Sequence, residues 1–148
     1  MNYGKNPSEV FVHNLQNQTN VGILLFTNEN IFGLYSELPM NSNSNVLNQN
    51  DFIFSLYSPT VQYPVRFITN VYEENIFKLF DLNNRSNNEL IILKKGNSYL
   101  EINDLHVESK HSNMYENFVD SSQQISIQNC LPQSNVFRIN RIICLRFN

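Results

Sequence analysis

Residues 31–57 read I-F-G-L-Y-S-E-L-P-M-N-S-N-S-N-V-L-N-Q-N-D-F-I-F-S-L-Y. Two apolar, aromatic segments flank a polar run that cannot form a core of its own. After Asp51, the side chains of Phe52, Phe54 and Leu56 alternate with those of Ile53, Ser55 and Tyr57. Alternation of this kind places one set on each face of a β-strand. The expectation is a core nucleated here, with Phe32, Gly33, Tyr35, Phe52, Phe54 and Leu56 supplying what a sandwich interior needs.

The composition leans the same way. The chain of 148 residues has the length of one domain and would bury roughly 70% of its unfolded surface. It contains no alanine, the strongest helix former, while Ile, Val, Phe and Tyr are abundant. Asn occurs 26 times, which favours turns and caps but also fits the codon bias of an AT-rich genome.

Working outward, Asn6-Pro7-Ser8-Glu9 carries the signals of a helix start, with the helix running to about Gln16. Val21–Phe26 and Ile31–Leu38 form a hairpin across Thr27–Asn30. Asn41–Asn50 is a polar loop, and Tyr63–Thr69 is a strand with Pro64 near its start. Asn75–Leu82 is read as a strand and Asn83–Asn88 as a turn. Glu89–Lys94 and Asn97–Ile102 form a second hairpin at Lys95-Gly96. Leu105–Lys110 alternates weakly, and Ser109–Ser122 is irregular. Gln124–Gln128 is a short strand, Cys130–Asn135 a turn, and Phe137–Phe147 a long last strand buried on both faces. Many short strands punctuated by turns predict a mainly β, two-layer antiparallel sandwich with a few short helices, in a single domain over 1–148.

The net charge of −3 argues against a domain that lives by binding phosphate backbones. Lys94, Lys95, Arg138, Arg141 and Arg146 are the basic surface candidates, sparse enough to read as solvated strand charges. The N-terminal M-N-Y-G-K-N-P lacks a basic region followed by an apolar run, and no apolar stretch nears the roughly 20 residues of a membrane helix. The expectation is therefore a cytoplasmic or nuclear protein with free thiols. Of its two cysteines, Cys144 is expected to be buried and inert, and Cys130 to be a loop thiol, the better redox candidate of the two against the plainer and favoured reading of a merely exposed free cysteine.

Reaction motifs are missing from the sequence. Four glycines make no phosphate loop, and GxSxG, HExxH and CxxC do not occur. Asp104, His106 and Glu108, two apart on a strand, are the best metal candidates, against the plainer reading of a wet strand face. Asp51 is a candidate acid or base, against the plainer role of bonding backbone amides at a strand entry.

The opening stretch resembles the TLDc domain family. N-E-N-I-F-G-L-Y-S-E-L-P matches its "k-x-F-G-G-Y" block through Phe32, Gly33 and Tyr35. N-D-F-I-F-S-L matches "D-x-x-A-F-L-F-S-L" through Asp51, Phe52, Phe54, Ser55 and Leu56. V-R-F-I-T, N-E-L-I-I-L and N-V-F-R-I-N-R-I-I-C-L-R-F resemble later family strands, in the family's order, from about residue 10 onward. The chain departs from the family at several points. Leu34 replaces a glycine, N-N-R-S-N-N replaces a glycine-rich turn, Glu89 stands where Asp is usual, and Ile143 replaces an acid. Most of the family's first strand is absent from the match. The chain is most similar to the divergent, Asn-rich versions of amoebic protists.

The resemblance implies a non-enzymatic protein-interaction module without cofactor, tied to oxidative-stress protection and to subunits of the vacuolar proton-pumping ATPase. Two other readings are a nucleic-acid-binding regulator working through the basic residues and a metal-assisted enzyme at Asp104, His106 and Glu108. An open sheet edge adds the expectation of a homodimer.

Overall fold

A computed structural model describes residues 11, 13–37, 39, 50–69, 76–79, 89–122 and 124–147, with residues 76–79 described by their backbone. Eleven strands are assigned among them. They are β1 (Val21–Phe26), β2 (Ile31–Ser36), β3 (Phe52–Tyr57), β4 (Val65–Ile68), β5 (Ile76–Leu79), β6 (Glu89–Lys95), β7 (Ser98–Asn103), β8 (Glu108–Ser112), β9 (Val119–Asp120), β10 (Val136–Arg138) and β11 (Arg141–Arg146). One antiparallel sheet runs β11-β1-β2-β3-β4-β9, and the other runs β10-β8-β7-β6-β5. The two pack as layers around one buried cluster, so the expected mainly β sandwich is the fold.

Alternation explains which side chains enter that cluster. Val21, Ile23 and Leu25 of β1, Phe32 and Leu34 of β2, and Ile53 of β3 point inward from the first sheet. Leu90, Leu93, Leu100, Ile102 and Phe137 are buried in strands of the second sheet. The rings of Phe32 and Phe137 meet edge to face across the interior, with centroids 5.8 Å apart. Leu15 closes a helical segment at residues 13–15 and is buried in the same cluster.

Turn chemistry fixes the first hairpin. The Thr27 hydroxyl accepts the Asn30 amide at 2.9 Å, and the Asn30 side chain reaches the Cys130 carbonyl at 3.2 Å. Gly96 turns β6 into β7 with φ of +54°, a conformation glycine adopts without a side-chain clash. Asp51 accepts the Glu37 amide at 2.8 Å, so the plainer reading of that carboxylate holds. It ties the end of β2 to the start of β3.

Several expectations are corrected. Phe137–Phe147 is not one strand. β10 lies on the edge of the second sheet and β11 on the edge of the first, and Ile139-Asn140 carries the chain between them. β11 is accordingly not buried on both faces: its residues are half-buried or exposed. Gln124–Gln128 is no strand; a 3-10 turn occupies Ile127–Asn129. The region 109–122 is more ordered than expected, holding most of β8, a 3-10 turn at Met114–Glu116, and β9. Asp104, His106 and Glu108 do not share a strand. Residues 104–107 form the β7–β8 turn, and His106 has a left-handed φ of 65°. The expectations for Asn6–Glu9, for residues 41–49 and for Asn83–Asn88 lie outside the described residues.

Gly33 is the tightest point of the first sheet. A Cβ there would stand 2.0 Å from the Ile23 carbonyl oxygen and 2.5 Å from the Phe54 ring. At Gly22 a Cβ would meet only the exposed Phe147 ring, at 3.1 Å. Gly33→Ala is therefore expected to cost about 3 kcal/mol or more, and Gly22→Ala about 1 kcal/mol or less. Urea denaturation of the two variants beside the parent checks this, and equal costs would contradict it.

Candidate interaction surface

The two outer faces of the sandwich differ in chemistry. Directly opposed residues of antiparallel strands share a face. The outer face of the first sheet can therefore be read row by row. Leu145, Gly22, Tyr35 and Phe52 form one row. Ile143, Leu24, Gly33, Phe54 and Arg66 form the next. Arg141, Phe26, Ile31 and Tyr57 form the third.

This face is aromatic and largely apolar. Tyr35 stacks on Phe52 with centroids 5.0 Å apart, Phe147 meets Tyr35 at 6.1 Å, and Phe52 meets Phe54 at 6.2 Å. Phe54 covers Gly33 and Phe147 covers Gly22, rings filling the space that absent side chains leave. Guanidinium groups lie over two of the rings, Arg66 at 5.3 Å from Phe52 and Arg141 at 5.6 Å from Phe26. Phe147 remains 51% exposed, Leu145 42% and Tyr57 41%.

The expectation that Tyr35, Phe52, Phe54 and Leu56 belong to the interior is thus overturned. Phe32, Gly33 and Ser55 are buried, but Tyr35, Phe52 and Phe54 are half-buried on the outer face and Leu56 is exposed. The alternation was legible. The side of the sheet that each set faces was not, because both sets carry large apolar residues.

The outer face of the second sheet is polar. Tyr99 donates to Glu101 at 2.6 Å, and Asn103 donates to Glu101 at 3.0 Å and to the Glu108 carbonyl. Burial, and then the neighbouring Glu101 carboxylate, hold the Tyr99 phenol well above its ordinary pKa, so it stays a donor. The bond from Asn103 to the Glu108 carbonyl ties β7 to β8.

An open cleft of about 500 Å³ lies at one end of the sandwich. The Thr27–Asn30 turn, His106, Pro132–Ser134, Phe137, Arg138 and Asn140 line it. Arg138 donates to the His106 carbonyl at 3.3 Å and lies 4.0 Å from Glu108; both side chains are exposed, so the ion pair contributes little. The hydroxyls of Thr27 and Ser134 are both occupied in accepting backbone amides. The cleft can hydrogen-bond a polar group.

The basic candidates do not converge. Lys94 lies exposed on β6, Lys95 is buried, and Arg138 sits on the far edge of the second sheet. Arg141 and Arg146, an odd number of residues apart on β11, point to opposite faces of the first sheet. Among the described residues, no group of three His, Cys, Asp or Glu side chains gathers as a metal site. Nor, among those residues, is any helix long and apolar enough to cross a membrane.

The two cysteines exchange exposure, while the expected low reactivity of Cys144 stands. Cys130 is fully buried, its carbonyl accepting from Asn30 and Ser55, and burial pushes its thiol up. Cys144 is exposed as a residue on the edge strand, yet burial by the neighbouring packing still pushes its thiol up to about 12. Both thiols are thus poor nucleophiles at neutral pH.

No protein-family model matches the chain, and no curated protein or solved structure is significantly similar to it. The class defined by the coordinates is a mainly β, two-layer antiparallel sandwich with one aromatic and one polar outer face.

Two predictions follow from the titratable groups. Asp120 accepts four hydrogen bonds, led by the Ser122 hydroxyl and followed by the amides of Ser122, Ile125 and Gln124. They hold its carboxyl below the ordinary value of 3.8. As the pH falls, the unfolded chain protonates at this position first. The contribution of Asp120 to stability is thus present above pH 3.8 and is lost as the pH falls from there through the folded-state value. Thermal melts of the parent and Asp120→Asn should converge over that window; parallel curves would contradict the assignment. Iodoacetamide at pH 8 should leave both thiols of the folded protein largely unmodified. Raising the pH should speed labelling of Cys144, whereas Cys130 should react only after denaturation, as peptide mass spectrometry would report.

Proposed function

We propose that this chain is a protein-interaction module whose binding surface is the outer aromatic face of the first sheet. The observation that carries the reading is the run of rings Phe147, Tyr35, Phe52 and Phe54, bordered by Arg66, on a face that is only half-buried. Aromatic and Arg side chains are the usual energetic anchors of protein interfaces, because they bury much area at low entropic cost. The resemblance of the Phe32–Tyr35 and Asp51–Leu56 blocks to the TLDc family supports the same class. It also suggests the partner, subunits of the vacuolar proton-pumping ATPase, and a role in the oxidative-stress response.

The test is capture of detergent-solubilised vacuolar ATPase on the immobilised chain. The paired substitutions Phe52→Ser and Tyr57→Ser should weaken capture at least tenfold, about 1.4 kcal/mol, while the chain still melts cooperatively. Arg138→Ala, on the polar side of the molecule, should leave capture unchanged. Failure of the parent to retain any ATPase subunit would remove that partner. Undiminished capture by the paired variant would remove the aromatic face as its binding site.

A further inference from the structure

The edges of the two sheets are unequal. Among the described residues β9 has two residues, β10 three and β5 four, whereas β11 has six. Short edge strands are one way proteins avoid joining sheet to sheet, and a long apolar edge invites it. β11 is bounded by Arg141 and Arg146, and Ile142, Ile143, Cys144 and Leu145 lie between them.

The outward backbone groups of β11 can be assigned. The Phe147 amide donates to the Asn20 carbonyl at 2.8 Å, one step beyond the Val21–Arg146 pair of the β1–β11 ladder. Bonded and non-bonded positions alternate in an antiparallel pair, so Ile143 and Leu145 turn their amides and carbonyls toward β1. Ile142, Cys144 and Arg146 turn theirs away. Among the described residues no strand pairs with them on that side.

We infer that β11 pairs antiparallel with β11 of a second copy, about a two-fold axis at Cys144. A two-fold pairing that keeps each outer face on the same side must place residues of equal face opposite one another. With the axis at Cys144, Ile142 opposes the second copy's Arg146, Ile143 opposes its Leu145, and Arg141 opposes its Phe147. The outward backbone groups at 142, 144 and 146 then bond one another. No two cations oppose each other. Arg141, already over the Phe26 ring at 5.6 Å, gains the second copy's exposed Phe147 as a further ring. The aromatic face of each copy then continues across the joint into a sheet of twice as many strands. A second copy fits this edge because the edge is self-complementary: its apolar middle meets itself, and each terminal cation meets an apolar residue.

Sedimentation velocity over a range of protein concentrations tests this, with residue-resolved amide exchange on the same samples. The mass should rise from 17.3 kDa toward twice that value. The amides of Ile142, Cys144 and Arg146 should gain protection with concentration, and those of Ile143 and Leu145 should not change. Cys144→Lys sets two ammonium groups against each other at the axis on an exposed residue, and it should hold the protein monomeric. Cys144→Pro removes an outward amide while sparing the ladder to β1, and it should act likewise. Phe52→Ser with Tyr57→Ser leaves β11 untouched and should keep the dimer, so loss of ATPase capture and loss of self-pairing are separable. A parent that stays monomeric throughout overturns the inference, as does a dimer that survives both Cys144 variants.

Discussion

The two residues between β10 and β11 hold the sandwich shut. Ile139 is fully buried, and its carbonyl accepts the His106 amide at 3.0 Å. Asn140 donates its amide to the Phe26 carbonyl at 2.7 Å and its side chain to Asn28 at 2.7 Å. One residue thus grips a turn of the second sheet and the next grips the hairpin of the first. The Phe137 ring, just before this crossing, meets Phe32 edge to face. The end cleft is the open space beside the same crossing, since Phe137, Arg138 and Asn140 line it.

A crossing of this kind shows how far the sequence can be read. The strands Val21–Phe26, Ile31–Ser36, Phe52–Tyr57 and the hairpin at Gly96 were legible, because local alternation and turn residues agree there. The division of Phe137–Phe147 was not. Apolar residues continue through Ile139, and nothing in the spacing records that the chain changes sheets. The same non-local fact misplaced Cys144, since an apolar run reads as buried until its strand is known to be an edge. Lys95 was misread differently. It stands beside the turn glycine, yet β6 extends through it and alternation carries it inward with Ile91 and Leu93. Cys130 does lie at a turn, but its carbonyl accepts from Asn30 and Ser55, and the residue is buried rather than exposed. The candidate surface was legible in its residues and illegible in its side, because which face of the first sheet meets the second is decided by packing alone.

The two sheets have distinct chemical duties. In the second sheet outer polar groups bond to one another, as in the Tyr99–Glu101–Asn103 chain, although the buried Asn103 Oδ1 has no partner. In the first sheet the rings of Phe54 and Phe147 rest over Gly33 and Gly22, and Phe147 stays 51% exposed. Gly33 joins the two themes. The close backbone passage that excludes a side chain at Gly33 also leaves the space that the Phe54 ring occupies.

The ladder between β1 and β11 joins Val21 to Arg146, residues far apart in the chain. During synthesis, β1 therefore waits with one side unpaired until β11 has left the ribosome. Contacts of such sequence separation slow folding, and the waiting strand is a site for wrong pairing. The hazard is greatest in a chain whose β1, V-G-I-L-L-F, is apolar throughout. Pairing with the late-arriving β11 is the step that removes this exposed strand from reach of its neighbours in the cell.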